Sequence, residues 1–236
     1  MRILITNDDG INAEGIKHLV NWAKTKGEVT VFAPKFEQSG KSRSIEIHKG
    51  YECKKVDLFE GVTAYSVDST PADCVRVAIL GFHLEFDLVL SGINRGFNVG
   101  EDVDYSGTVA ACFEGAHLGT KALAVSTHWN GWEDAIANLD KVYDYICEKK
   151  MFDHAKLINV NIPENPKGIC VTRVGEAIYS DDFDFVDDLV VPVLITTYKG
   201  TKDLSVDTDA TMNGYISISP VTLELTDLEA FEKLKK

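Results

Sequence analysis

Near the start of the chain lies Ile3-Leu4-Ile5-Thr6-Asn7-Asp8-Asp9-Gly10. Its apolar residues predict a short buried strand, and the Asn-Asp-Asp-Gly that follows has the composition of a tight turn. Apolar residues then recur at helical spacing from Ile16 to Ala23, and Val29 to Ala33 predicts a second strand. A strand, a helix and a strand in this order are typical of a parallel sheet with crossover helices.

The alternation of strands and helices continues to residue 163. Further strands are predicted at 64–67, 87–90, 123–126 and 157–162, and further helices at 71–80, 108–118 and 132–148. Beyond Pro163 we predict strands at 169–174, 189–197 and 216–219 and a terminal helix at 225–235. The acidic residues 181–188 are interpreted as a solvated loop, because runs of like charge are usually solvated.

These elements predict one α/β domain over residues 1–236. Residues 1–163 form a doubly wound, Rossmann-like core, in which helices flank a mostly parallel sheet. Residues 164–236 form an extension with a β-hairpin and a C-terminal helix, which we expect to be used in oligomerisation.

Composition excludes several classes of partner. The net charge of −13 over 236 residues would repel duplex nucleic acid, whose binding needs clustered Lys and Arg. A small phosphorylated substrate remains compatible, because a bound cation can dominate the local field. No apolar run approaches the roughly eighteen residues of a membrane-spanning helix, and Met1 leads directly into a strand instead of a signal peptide. We therefore expect a cytoplasmic protein with no membrane partner.

Cysteine and histidine do not suggest a metal site of their own. The five cysteines are odd in number and well separated, which favours reduced thiols over disulfides or a zinc site. The six histidines form no H-E-x-x-H pattern. The sequence therefore suggests neither a thiolate zinc site nor a zincin-type histidine site.

Four polar segments follow predicted strands or open a predicted helix. In open α/β sheets ligands bind beyond the carboxyl ends of the strands, so these segments are expected to meet at one edge. They are residues 7–10, 33–42, 91–100 and 105–108. Each has an ordinary structural explanation as a turn, a surface loop or a helix cap, and it is their joint occurrence that indicates a functional site.

The pair Asp8 and Asp9 indicates a metal. Two carboxylates that converge at a turn repel each other, and unless one is protonated a cation relieves the repulsion. Hard oxygen ligands favour Mg²⁺, Mn²⁺ or Ca²⁺. Alone, the pair is more often a simple Asp-Gly turn, so the metal prediction depends on the other three segments.

The remaining segments suggest binding of a phosphate group. Ser91 to Gly100 carries three glycines at spacings of four, which let the backbone approach a ligand, and two asparagines that add no charge. Ser106, Gly107 and Thr108 open a helix, where hydroxyls can cap the helix and free N–H groups can bind a phosphate.

Five stretches together resemble the SurE survival proteins, a family of metal-dependent 5′(3′)-nucleotidases. They are Ile5 to Gly10; Ala33-Pro34 with Gln38-Ser39-Gly40; Thr70 to Val75; Ser91 to Gly115; and Thr208-Asp209-Ala210 with Gly214-Tyr215-Ile216-Ser217. The resemblance covers most of the chain.

The resemblance implies roles for particular residues. Asp8, Asp9, Ser39 and Asn94 would ligate one divalent ion per subunit, most often Mg²⁺ or Mn²⁺. The substrate phosphate would be bound by Asn98, Ser106, Gly107 and Thr108. The family also implies hydrolysis of nucleoside 5′- or 3′-monophosphates, in some members of short polyphosphate, and a homodimer or homotetramer that exchanges C-terminal elements.

The mechanism expected from these residues uses a metal-activated water that attacks phosphorus in line. Asp8 and Asp9 are the catalytic candidates, since either could orient or deprotonate that water. The amides from Ser106 to Thr108 would stabilise the developing charge. No covalent enzyme intermediate is required.

Three alternatives stay open at this point. A haloacid dehalogenase type phosphatase would use an aspartyl-phosphate, although its two acids are separated by one residue and here they are adjacent. A non-catalytic phospho-receiver module would pair these acids with an Asp after its third strand, and Asp68 occupies such a position. A metal-stabilised protein without turnover is the third.

Overall fold

The computed structural model describes residues 1–235 and consists of two sheets with flanking helices. The strands are β1 (Arg2–Thr6), β2 (Glu28–Pro34), β3 (Cys53–Val56), β4 (Thr63–Val67), β5 (Leu88–Arg95), β6 (Lys121–Thr127), β7 (Leu157–Ile162), β8 (Ile169–Val171), β9 (Tyr179–Val186), β10 (Leu189–Thr196) and β11 (Ile216–Val221). The helices are α1 (Glu14–Ala23), α2 (Pro71–Arg76), α3 (Asp102–Tyr105), α4 (Gly107–His117), α5 (Trp132–Glu148), α6 (Asp207–Met212) and α7 (Leu228–Leu234). A π turn, Val77–Gly81, continues α2, and a short 3₁₀ turn, Met151–Asp153, follows α5.

The main sheet has the order β3-β4-β2-β1-β5-β6-β7-β11-β8. Its six central strands, from β4 to β7, are all parallel. Numbered along the chain, these six lie in the order 3-2-1-4-5-6, which is the Rossmann arrangement. The predicted mostly parallel sheet flanked by helices is confirmed. The strands that follow β1 are added on one side of it up to β4, and from β5 onward they are added on its other side. The crevice between β1 and β5, where this change occurs, is the place where such sheets bind ligands.

Each face of the sheet has its own core, because side chains alternate along a strand. Ile3 and Ile5 of β1 pack in one buried cluster with α1 and α5, and Leu4 packs in the other with α2 and α4. Helices therefore cover both faces, and the carboxyl ends of the central strands share one edge.

The main sheet extends past residue 163. Strand β11 pairs antiparallel with β7, and β8 pairs parallel with β11. The hairpin of β9 and β10 forms a separate two-stranded sheet. Residues 164–235 thus contribute two strands to the core sheet as well as the predicted hairpin and terminal helix.

The interpretation of residues 181–188 as a solvated loop was wrong. Residues 181–186 lie within β9, and Asp187-Asp188 form the two-residue turn to β10. Asp182 and Asp184 alternate with Phe183 and Phe185, and this period of two is a strand pattern that the high acid content concealed. Strand β3 and the short helix α6 were not predicted either.

Among residues 1–235, no helix combines the length and apolar character needed to cross a membrane.

Helix α1 packs so closely on β5 that Gly15 has no room for a side chain. A Cβ at this position would lie 2.0 Å from the Ile93 carbonyl oxygen. We predict that Gly15→Ala lowers the free energy of unfolding by about 2 kcal/mol, although alanine favours helix, because the helix must move away from the strand. Urea unfolding measures the change.

Gly81→Ala is the matched control for Gly15→Ala. A Cβ at position 81 would meet its nearest neighbour, Val77, at 3.8 Å, which is ordinary contact. Its expected effect is within about 0.5 kcal/mol. Equal losses in the two variants would show that packing of α1 on β5 is not the cause.

Candidate active site

Asp8 and Asp9 lie just past the end of β1, at the crevice between β1 and β5. Asp8 is 4% exposed and Asp9 is half-buried. The backbone N–H of Gln38 donates to the Asp8 carbonyl oxygen at 2.7 Å, which brings the loop after β2 to the same place. The predicted convergence of the first two segments is therefore present in the structure.

The start of helix α4 packs directly against Asp8. The Thr108 hydroxyl donates a hydrogen bond to Asp8 Oδ1. A Cβ at Gly107 would lie 2.8 Å from the Asp8 Cβ, so only glycine fits there. The Ser106 hydroxyl accepts from the Val109 N–H at 3.1 Å and caps the helix. The positive end of the helix dipole thus faces a buried carboxylate.

Burial and mutual repulsion disfavour ionisation of both aspartates. Burial raises the pKa of Asp8, and the Thr108 hydrogen bond opposes this increase. Burial, then the charges of Asp8 and Glu37, raise the pKa of Asp9 to about 7, against a smaller lowering by Arg95. Within the described residues, the buried Asp9 Oδ2 has no hydrogen-bond partner. A cation is the ligand that would satisfy this oxygen and relieve the repulsion.

Ser39 and Asn94 are the neutral candidates for the ion. Ser39 is exposed, and its hydroxyl donates to Glu37 Oε1 at 2.8 Å. The Asn94 Nδ2 donates to the Gly96 carbonyl at 2.8 Å, which turns the amide oxygen away from Gly96. No group of three or more His, Cys, Asp or Glu within residues 1–235 could hold a metal. Two carboxylates with neutral oxygens form a hard donor set that suits Mg²⁺ or Mn²⁺.

Asn98 lies at the same sheet edge, but its side chain is already engaged. Its Nδ2 donates to the Ser126 hydroxyl at 2.8 Å. Its backbone N–H donates to Asn161 Oδ1 at 2.8 Å, and its carbonyl accepts from Asn159 and Asn161 at 2.8 and 3.0 Å. The structure thus shows how Asn98 is positioned, and its contact with phosphate stays a prediction.

Asn159 and Asn161 were not predicted as site residues. Both are fully buried in β7 and lie two positions apart, hence on one face of the strand. Two asparagines in the otherwise apolar run 157–162 were the available signal, because a buried amide requires partners.

Two aspartates of α6 connect this edge to the hairpin. Asp207 accepts from the backbone N–H of Gly100 at 3.0 Å and of Gly175 at 2.8 Å. Asp209 accepts from the Tyr198 hydroxyl at 2.5 Å and from the Thr201 N–H at 3.1 Å. The segments before β9 and after β10 are therefore both bonded to the same short helix.

Asp68 does not join the paired aspartates. It follows β4, which is separated from β1 by β2, so roughly 10 Å of sheet lie between them. Asp68 pairs instead with Lys35, at 3.7 Å. This placement disfavours the phospho-receiver alternative.

Comparison with known proteins gives one family over most of the chain. The family described as Survival protein SurE matches residues 3–181. The 5′-nucleotidase SurE of Caldanaerobacter subterraneus is 37% identical, over 98% of this chain and 95% of the relative. That of Legionella pneumophila strain Philadelphia 1 is 38% identical, over 99% and 96%. The crystal structure of the SurE protein from Aquifex aeolicus aligns with a TM-score of 0.82 at 31% identity, over 100% and 98%.

The raised pKa of Asp9 leads to a stability prediction. Between its ordinary pKa of 3.8 and about 7, the unfolded chain has lost the Asp9 proton and the folded chain keeps it. Rising pH therefore lowers the free energy of unfolding of the metal-free protein in this range. We predict that Asp9→Asn stabilises the protein in EDTA by ~1–2 kcal/mol at pH 8, and by less at pH 5. Urea unfolding at both pH values measures this.

The matched control for Asp9→Asn is Asp57→Asn, which removes the same charge from an exposed position. It should change the free energy of unfolding little at either pH. A destabilised Asp9→Asn protein at pH 8 would contradict the proposed repulsion.

The Asn98 network leads to a second prediction. Asn161→Ala leaves the buried Asn98 N–H without its acceptor, so the free energy of unfolding should fall by about 2 kcal/mol. Asn138→Ala is the control, because Asn138 bonds only within helix α5, to the Asp134 carbonyl. Thermal unfolding of both variants tests this, and an unchanged Asn161→Ala protein would refute the positioning role.

Proposed function

Because the chain belongs to the Survival protein SurE family, we propose that it is a 5′-nucleotidase. It would hydrolyse nucleoside 5′-monophosphates to nucleoside and phosphate with the help of a divalent metal ion. The observation that carries this proposal is the crowding of the Asp8 and Asp9 carboxylates, with Asp8 packed against the start of α4. The shared phosphate group extends the proposal to 3′-monophosphates and short polyphosphate.

One Mg²⁺ or Mn²⁺ per subunit would be held by Asp8, Asp9, Ser39 and Asn94. The unpartnered Asp9 Oδ2 and the neighbouring Asp8 carboxylate support this assignment. When bound, such an ion supplies a Lewis acid and lowers the pKa of a coordinated water.

Asp8 and Asp9 would have different roles in the reaction. Asp8 is fixed in one orientation by the Thr108 hydroxyl and the absence of a side chain at Gly107. Asp9 is less buried and has one oxygen without a protein donor. Asp9 would therefore orient the attacking water and receive its proton.

The substrate phosphate would bind at the start of α4. Helix α4 spans eleven residues, and its first backbone N–H groups and dipole favour an anion. Gly107 and Thr108 would supply backbone amides, Ser106 would supply a hydroxyl, and Asn98 would be a further phosphate contact. These groups would also stabilise the negative charge that develops on the phosphate oxygens.

Assembly into a homodimer or homotetramer with C-terminal exchange is part of the proposal. It is supported by the apolar side chains that the hairpin exposes, such as Phe185 at 76%, Leu189 at 67% and Leu194 at 65%. A two-stranded hairpin with such a surface is rarely stable unless another surface covers it. A cytoplasmic location is supported by the five free cysteines, since thiols persist in reducing compartments.

The test is phosphate release from a panel of nucleoside 5′- and 3′-monophosphates. Mg²⁺ or Mn²⁺ should give turnover, and EDTA should abolish it because the carboxylates then lack their cation. Asp9→Asn should lose at least about 10³-fold in kcat with saturating Mn²⁺ while it remains folded. Asp57→Asn is the control and should retain activity.

Three results would contradict this proposal. Absence of metal-dependent release from every nucleotide would leave only the metal-stabilised structural alternative. A phospho-aspartate trapped on Asp8 or Asp9 would support the haloacid dehalogenase type of chemistry. Substantial turnover by Asp9→Asn would remove Asp9 from the mechanism.

A further inference from the structure

An exposed aromatic surface lies at the same sheet edge as the paired aspartates and has no role in the mechanism above. Trp129 is 59% exposed, although tryptophan is usually largely buried. It follows β6, whose carboxyl end adjoins that of β5 at the same sheet edge as the site. An exposed indole beside a binding site is a candidate contact for a ligand.

Arg95 connects this indole to the metal site. The guanidinium lies 4.6 Å from the centroid of the Trp129 ring, and its Nε donates to the Trp129 carbonyl at 3.2 Å. Arg95 is the last residue of β5 and directly follows Asn94, a candidate metal ligand. Arg95 thus joins a candidate metal ligand, its neighbour in sequence, to the aromatic surface on which its side chain packs.

The arrangement leaves one indole face for a ligand. Arg95 covers one side of the ring through a planar cation–π contact, which fixes the ring orientation. Phe97 packs on His128, the residue before Trp129, with ring centroids 5.9 Å apart, and His128 pairs with Glu164 at 3.0 Å. The segments that carry Arg95 and Trp129 are joined by a backbone hydrogen bond, in which the Gly96 N–H donates to the Thr127 carbonyl at 2.9 Å. One face of the indole therefore packs on Arg95, and the rest of the ring is largely open to solvent.

We propose that the nucleobase of the substrate stacks on the exposed face of Trp129, with Arg95 supporting the indole from the other side. The inference rests on the proposed nucleotidase function and names the part of the nucleotide that this surface binds. Because stacking tolerates any base, the surface selects nucleotides over other phosphomonoesters without selecting one base.

The test compares adenosine 5′-monophosphate, which carries adenine at C1′ of the ribose, with ribose 5-phosphate, which carries a hydroxyl there. Trp129→Ala should lower kcat/KM for the nucleotide about tenfold, mainly through KM, since base–aromatic stacking has this magnitude. Ribose 5-phosphate, followed both as a substrate and as a competitor of the nucleotide, should change less than twofold. Trp129→Phe retains an aromatic face and should recover most of the loss.

Tyr105→Ala is the competing variant, because Tyr105 is also exposed, at 65%, and precedes the phosphate segment. A base-dependent loss in Tyr105→Ala and not in Trp129→Ala would overturn the assignment. Equal losses on both substrates in Trp129→Ala, or none, would also overturn it. If the parent protein hydrolyses the nucleotide and Trp129→Ala does so equally well, only the stacking inference fails. If the parent hydrolyses no nucleotide, the proposed function fails and the inference fails with it.

Discussion

The approach of helix α4 to the end of β1 is the contact on which the site depends. A buried carboxylate is costly unless hydrogen bonds or a cation compensate it, and Asp8 obtains one hydrogen bond from Thr108 and the positive end of a helix dipole. This approach is possible only because position 107 carries no side chain. For Asp9, the lowering of the pKa by Arg95 is smaller than the increase caused by burial, Asp8 and Glu37, so its negative charge is not fully compensated. The rest of the fold provides the stability, and the unfavourable electrostatic free energy of the two aspartates remains until a ligand relieves it.

Much of the fold was predictable, because long segments with clear periodicity determine it. The bounds predicted for α5 and β7 agree with the structure, since both segments have strong apolar patterns and clear ends. The location of the candidate site was also predictable, because parallel strands place their following turns at one edge. The motifs around Asp8, Asn94 and Ser106 therefore pointed to a common place without any knowledge of distances.

Features that depend on contacts between distant segments were not predictable. The amide network of Asn98, Asn159 and Asn161 joins residues more than sixty positions apart, and no local pattern reveals which buried amides pair. Strand β9 was mistaken for a loop because its charges are exposed on a hairpin that does not belong to the main sheet. The Trp129 surface is visible only in the folded chain, because stacking on Arg95 requires β5 and β6 to be neighbours.

Asp207 and Asp209 determine where the length of this chain can change during evolution. They bond the segments that precede β9 and follow β10 to one short helix, and Asp207 also bonds Gly100 beside the site. A change in hairpin length between residues 179 and 196 is therefore absorbed beyond these anchors and leaves the Gly100 backbone in place. Insertions and deletions in the β9–β10 hairpin can accumulate while the residues of the candidate active site keep their positions. The molecule thus separates a part that is free to vary in length from a part that is not.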